Sequence, residues 1–225
     1  MKTCTYCGKA IQEGAPDVIE YVNGEFFCNA LCNKRYENNL RFGEKIHDCL
    51  KENVPPLYAD TDISRLPFPA ISKRVLKWEY NPKGLVLFGT TGTGKSRTLF
   101  LLLKRLIEDE LIGIRDRSLF CASSGALKAN FEASYQRKQS SSFIDKCNQV
   151  SLLVIDDFGK DKFTEAYESA IFNIMEYRTS HYLPTLISTN YNGGNLREKF
   201  TDLTNFEPFY RRLKEFHETV FFGTK

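Results

Sequence analysis

Four short apolar runs stand out along the chain, each bounded by polar, glycine or proline positions. They are Gly84-Leu-Val-Leu-Phe88, Leu152-Leu-Val-Ile155, Thr185-Leu-Ile-Ser188 and Thr219 to Phe222. Continuous apolar runs of this length, without alternation, belong to strands buried on both faces of a parallel sheet. Between them the period changes. Arg97 to Leu111 carries leucines at a spacing of three and four, which predicts a helix. The alternation predicts an α/β fold with a doubly wound parallel sheet, whose ligands bind at the carboxyl edge of the strands. Upstream, Val54-Pro-Pro56, Leu66-Pro67 and Phe68-Pro69 interrupt regular structure. Residues 51–80 therefore read as a linker and lead-in segment, residues 81–225 as the sheet domain, and residues 1–50 as a separate module. Tyr58 and Trp78 lie in the lead-in and either could rest against a nucleobase; core packing is the plainer role for Trp78.

The polar positions that close each run carry the chemistry. After the first run comes Gly89-Thr90-Thr91-Gly92-Thr93-Gly94-Lys95-Ser96, a full match to the G-x-x-x-x-G-K-[ST] phosphate loop. Its glycines let the backbone curl so that N–H groups face an anion. Lys95 brings a cation to the β- and γ-phosphates and the Ser96 hydroxyl is placed to ligate Mg²⁺. The helix that follows points its positive end at the same phosphates. The second run ends in Asp156-Asp157. Asp156 is positioned to hold Mg²⁺ through the metal's water shell, and Asp157 to orient or deprotonate an attacking water. The third run ends in Ser188-Thr189-Asn190, where Asn190 can fix that water or touch the γ-phosphate.

Four of the seven cysteines form a second pattern. Cys4-x2-Cys7 and Cys28-x3-Cys32, twenty residues apart, have the pairing of a structural Zn²⁺ site. A helix is predicted from about Asn29 to Arg41, opening at the second pair. A segment of this size lacks the core to fold alone, which gives a metal staple its reason. His47 and Cys49 are alternative ligands; Cys49, Cys121 and Cys147 read as ordinary thiols. Residues 1–50 hold six Lys/Arg against seven Asp/Glu, which is not a phosphate-backbone footprint, so the module reads as protein-binding.

Bulk composition adds limits. The chain has 225 residues, 42% hydrophobic and 26% charged, with a formal net charge of +3. No apolar run approaches the roughly 18 residues a membrane span needs, and no secretory segment follows Met1. A reducing, cytoplasmic location with no membrane association is expected from this and from the cysteine usage.

With these elements placed, residues 53 to 223 resemble the AAA+ helicase-loader family of bacteria and phages, which also includes helper ATPases of insertion-sequence transposition. The resemblance rests on Val54-Pro-Pro-Leu-Tyr58, the loop 89–96, Leu152-Leu-Val-Ile-Asp-Asp-Phe-Gly159, Leu183-Pro-Thr-Leu-Ile-Ser-Thr-Asn190 and Phe209-Tyr-Arg-Arg-Leu213. It implies a slow, partner-stimulated ATPase that binds a replicative helicase through its zinc module, contacts single-stranded DNA and forms an ATP-dependent homo-oligomer. It also implies an arginine finger acting in trans at Arg212, with Arg211 and Arg178 as alternatives. The chain departs from the family pattern in two respects. Nothing after Phe222 fits the helical C-terminal lid of many AAA+ proteins, and Asp157 stands where Glu is usual. Two other functions stay open: a transposition helper on duplex DNA, and a nucleotide-dependent adaptor with little turnover.

Overall fold

The computed structural model describes residues 2–12, 15–109, 111–113, 118–201 and 203–223. The chain divides into two units, Met1–Asp48 and Cys49–Lys225.

The first unit is built from two tiny hairpins. Strands β1 (Lys2–Thr3) and β2 (Ala10–Ile11) pair antiparallel, as do β3 (Ile19–Glu20) and β4 (Phe26–Phe27). Its core holds Cys4, Phe27 and Cys32, with Ile11, Ile19, Cys28 and Tyr36 packed around them. Helix α1 begins at Ala30, where the Asn29 side chain accepts the Cys32 N–H at 2.9 Å, an N-cap interaction. It runs to Asn53, well beyond the Arg41 expected from the sequence, and so carries the chain into the second unit. Among its described residues only Cys32 is buried.

In the second unit the lead-in segment is folded rather than extended. Helices α2 (Pro56–Ala59) and α3 (Pro69–Val75) each start on a proline. The missing proline N–H costs nothing in a first helical turn, so these prolines begin helices rather than only breaking structure. Val75 and Trp78 are buried, and the Ser72 and Thr98 hydroxyls share a 2.8 Å hydrogen bond.

The sheet contains β5 (Gly84–Phe88), β6 (Leu119–Ser123), β7 (Leu152–Phe158), β8 (Thr185–Thr189) and β9 (His217–Phe221). All pair parallel in the order β6-β7-β8-β5-β9. The last strand begins two residues earlier than the run 219–222 suggested. Helix α4 (Lys95–Glu108) covers one face, with Leu99, Leu102, Leu103, Leu106 and Ile107 fully buried. Glu110, inside the helix expected over 97–111, lies outside the described residues. The other face is covered by α5 (Ser124–Gln136), α6 (Ser140–Gln149), α7 (Glu165–Ser180) and α9 (Leu203–Phe216), with short α8 (Gly193–Arg197) between β8 and α9.

Arg178 of α7, one of the three finger candidates, is fully buried and serves as a strut. It donates to the carbonyls of Cys147 and Val150 at 2.8 Å and of Pro184 at 2.6 Å, and to Thr185 Oγ1 at 2.9 Å. These carbonyls include the negative end of α6, so the guanidinium is neutralised by a helix terminus rather than by a carboxylate. It is not available to a neighbouring subunit.

His217, in register with Gly84, is buried against it; a Cβ at Gly84 would collide with the imidazole ring and the Thr185 carbonyl. Burial lowers its pKa to about 4, and the nearby positive charges of Arg178 and Lys83 add to this, while the Arg212 and Leu213 backbone oppose it. The folded state therefore binds this proton less readily than the unfolded chain. The stability contributed by the neutral ring is complete above about pH 6.5 and is lost as pH falls toward 4, a difference of about 3 kcal/mol over that window. Urea unfolding of the wild type and of His217→Met at several pH values should show a shallower loss in the variant; equal slopes would show that His217 does not titrate with unfolding.

Candidate functional site

The site lies at the carboxyl edge of β5, β7 and β8. Gly89 follows β5 directly, with φ of 148°, and a side chain there would strike the Phe222 carbonyl oxygen. Gly92 and Gly94 adopt φ of 81° and 90°, left-handed values that favour glycine. The loop therefore turns tightly and delivers Lys95 and Ser96 as the first residues of α4. The Lys95 ammonium donates to the Thr90 carbonyl at 2.7 Å and to Thr93 Oγ1 at 3.2 Å, folded over its own loop. Burial lowers the Lys95 pKa, and the charges of Asp157 and Asp156 oppose that shift.

Strand β7 supplies the acids. Asp156 is 7% exposed. Burial raises its pKa, and hydrogen bonds from the Ser188 and Ser96 hydroxyls counter the shift. The Ser188 hydroxyl donates to Asp156 Oδ1 and accepts the Asp157 N–H at 2.9 Å, which ties β8 to both acids. Beyond Asp156 the pairing with β8 breaks register between Ile155 and Phe158. Asp157 there takes φ of 56°, a left-handed conformation uncommon for a non-glycine residue. A bulge of this kind re-aims a side chain, and strained backbone clusters at functional positions. Its effect here is to line the cleft with the Asp157 side chain beside Lys95, Ser96 and Asn190.

The cleft is also lined by the folded lead-in: Leu57, Tyr58, Arg65, Leu66 and Pro67. Tyr58 stacks on Phe100 with centroids 4.9 Å apart, and the Arg97 guanidinium stands 5.7 Å from its centroid. The cleft volume is about 500 Å³. The structure thus brings together the loop 89–96, Asp156, Asp157 and Asn190. It adds Ser188, Arg65, Arg97 and Lys160, which sequence reasoning did not assign to the site. The only sequence signal for Ser188 was its position at the end of an apolar strand.

Arg211 and Arg212 lie on α9 and do not line this cleft. Arg211 is exposed. The Arg212 guanidinium is ion-paired with Glu176 of α7, and its side chain is 16% exposed.

In the first unit the four sulfur atoms of Cys4, Cys7, Cys28 and Cys32 lie within 4.8 Å of one another. Cys7 and Cys28 are 3.8 Å apart and Cys28 and Cys32 3.5 Å. A tetrahedron of sulfurs about 2.3 Å from a central Zn²⁺ has edges of about 3.8 Å, so the donor set fits that ion. Burial opposes ionisation of Cys4, but backbone groups of Cys7, Cys28 and Tyr6 override it and bring the thiol to about 6. Hydrogen bonding with Cys32, then burial, pushes Cys28 up to about 12.

The phosphate loop thus follows the strand that sits between β8 and β9, the acidic strand lies one position removed, and a polar strand end lies between them, the strand order of a doubly wound P-loop sheet. A family profile described as RNA helicase matches residues 85–193. The replicative helicase loader DnaI of Bacillus subtilis (strain 168) is 26% identical over 120 residues, 53% of this chain and 37% of that protein. The match therefore spans well under half the length of this curated relative. Among solved structures, DnaI superposes with a TM-score of 0.57 at 20% identity, covering 79% of this chain and 94% of that one. The DnaC helicase loader gives 0.56 at 20% identity, covering 77% and 98%. The replication initiator DnaA bound to AMPPCP and single-stranded DNA gives 0.57 at 14% identity, covering 76% and 51%. These structures share the fold. The profile match lies within the unit Cys49–Lys225, and the chain is similar in sequence to one helicase loader and in fold to two solved loader structures. Among the described residues no helix is long and apolar enough to cross a membrane.

Proposed function

We propose that this protein is an ATP-dependent loader of a replicative helicase onto single-stranded DNA. The observation that carries the ATP half of this reading is that Ser96 and Asp157 line one cleft together with the loop residues Thr91, Gly92, Gly94 and Lys95, while the Ser188 hydroxyl ties Asp157 to Asp156. The Ser96 hydroxyl favours the ionised Asp156 carboxyl, which suits the two to hold Mg²⁺. When bound, that ion neutralises charge on the β- and γ-phosphates. Lys95 leaves the Thr90 carbonyl to meet the triphosphate. Asp157 takes the proton of the attacking water while Asn190 orients it. Likeness to DnaI and DnaC supports the helicase half, and likeness to nucleotide- and DNA-bound DnaA supports single-stranded DNA as the substrate surface.

The same proposal assigns Zn²⁺ to Cys4, Cys7, Cys28 and Cys32, with residues 1–50 as the helicase-binding module. It gives α9 the trans contact in an ATP-bound homo-oligomer. Arg211 can reach a neighbour as it stands, whereas Arg212 must first leave Glu176.

Lys95→Ala removes the loop's fixed side-chain cation. Equilibrium binding of a fluorescent ATP analogue should weaken by at least about tenfold, or about 1.4 kcal/mol. Unchanged affinity would remove the phosphate-loop assignment and with it the ATP half of the proposal. The helicase half is tested by whether residues 1–50, loaded with Zn²⁺, retain a purified replicative helicase in a pull-down.

A further inference from the structure

Four of the side chains lining the cleft are cationic: Arg65, Lys95, Arg97 and Lys160. Three are engaged at other places. Lys95 caps its own loop. Arg97 donates to the Leu57 carbonyl at 3.1 Å and to Thr61 Oγ1 at 3.3 Å, holding the lead-in segment onto α4. Arg65 pairs with Asp62, three residues earlier, at 3.3 Å. Lys160 differs because its partner is the hydrolytic acid itself. Its ammonium lies 4.0 Å from Asp157 Oδ2, and its side chain is 70% exposed.

The backbone explains the pairing. The Lys160 N–H donates to the Asp157 carbonyl at 3.2 Å, closing a turn in which Asp157 and Gly159 both have positive φ. The bend that aims Asp157 into the cleft therefore carries Lys160 with it. An exposed pair at this distance is weak and easily exchanged. A γ-phosphate, with more negative charge than one carboxylate, competes effectively for the same ammonium.

We propose that Lys160 is a cis cation for the γ-phosphate, held by Asp157 until a triphosphate binds. This rests on the ATPase reading above. With ATP in the cleft, Lys160 moves from Asp157 to a γ-phosphate oxygen. That leaves the Asp157 carboxylate unpaired and able to accept a proton. The water oxygen then bonds to the γ-phosphorus as the bond from that phosphorus to the β–γ bridging oxygen breaks, its electron pair staying on ADP. The water proton passes to Asp157, and the charge developing on the transferring group is met by Lys160. A diphosphate lacks the group that draws Lys160 away, so the residue distinguishes ATP from ADP.

The test compares Mg·AMPPCP and Mg·ADP affinities of the 225-residue wild type, Lys160→Gln and Lys160→Arg by equilibrium titration, with turnover measured in parallel. Lys160→Gln should weaken AMPPCP binding about tenfold, leave ADP binding unchanged and lower kcat at least tenfold; Lys160→Arg should restore most of both losses. A residue that only shapes the turn would shift both nucleotides together. An unchanged AMPPCP-to-ADP affinity ratio in Lys160→Gln overturns the proposal. Should Lys160→Gln not fold, Lys160→Met is read by the same ratio. A wild type that binds neither nucleotide defeats the ATPase reading itself, whereas a wild type that binds both with a ratio insensitive to position 160 defeats only the role of Lys160.

Discussion

Asp157→Asn should leave ATP binding within about twofold of the parent and cut turnover by roughly 10²- to 10⁴-fold. The amide fills the same space, but it cannot accept the water's proton. The backbone favours this substitution for a clean comparison. Position 157 sits at φ of 56°, a region that Asn occupies at least as readily as Asp, so the bulge should survive. The hydrogen bond from its N–H to the Ser188 hydroxyl is a main-chain contact and is kept. Binding is followed with a fluorescent ATP analogue and turnover by phosphate release. Turnover at the parent rate would mean that another group activates the water, and the reading as a nucleotide-dependent adaptor would gain.

The second large effect concerns the cysteine cluster. One Zn²⁺ per chain is expected by elemental analysis of protein purified without chelator. Removing it should unfold most of Met1–Asp48, because that unit has a core of only a few side chains, two of them Cys4 and Cys32. Apparent Zn²⁺ binding energies for small structural sites are on the order of 10 kcal/mol, more than such a core can replace. Proton–deuterium exchange after chelation should show lost protection within residues 2–48, while nucleotide affinity, set within Cys49–Lys225, stays the same. Protection that persists without metal would show that the cluster is not a structural site.

Much of the site was legible in the sequence because its parts are local. The loop 89–96 is one contiguous motif, and Leu152-Leu-Val-Ile-Asp-Asp157 is a strand that ends in its own functional residues. The cysteine pairs are legible for the same reason. What the sequence concealed depends on partners distant along the chain. Arg178 reads in the sequence as a candidate trans finger, and its burial depends on β8 and the end of α6 closing around it. Glu176 lies 36 residues from Arg212, and no pattern announced their pairing. Pro56 and Pro69 misled in another way, since a proline stops one helix and starts the next with the same ring, and only tertiary packing decides. Lys160 could be read as a residue three positions beyond the acids, but the left-handed turn that brings it back to Asp157 could not.

In the proposed function the unit Cys49–Lys225 acts on a ring helicase under the control of ATP. Light scattering coupled to size-exclusion chromatography follows the 225-residue protein mixed with the replicative helicase of its own host, with Mg·ATP and with Mg·ADP. A stable complex is expected with ATP, weakened or lost with ADP and with Lys95→Ala. A protein that binds ATP normally yet elutes apart from the helicase under every nucleotide condition would contradict it.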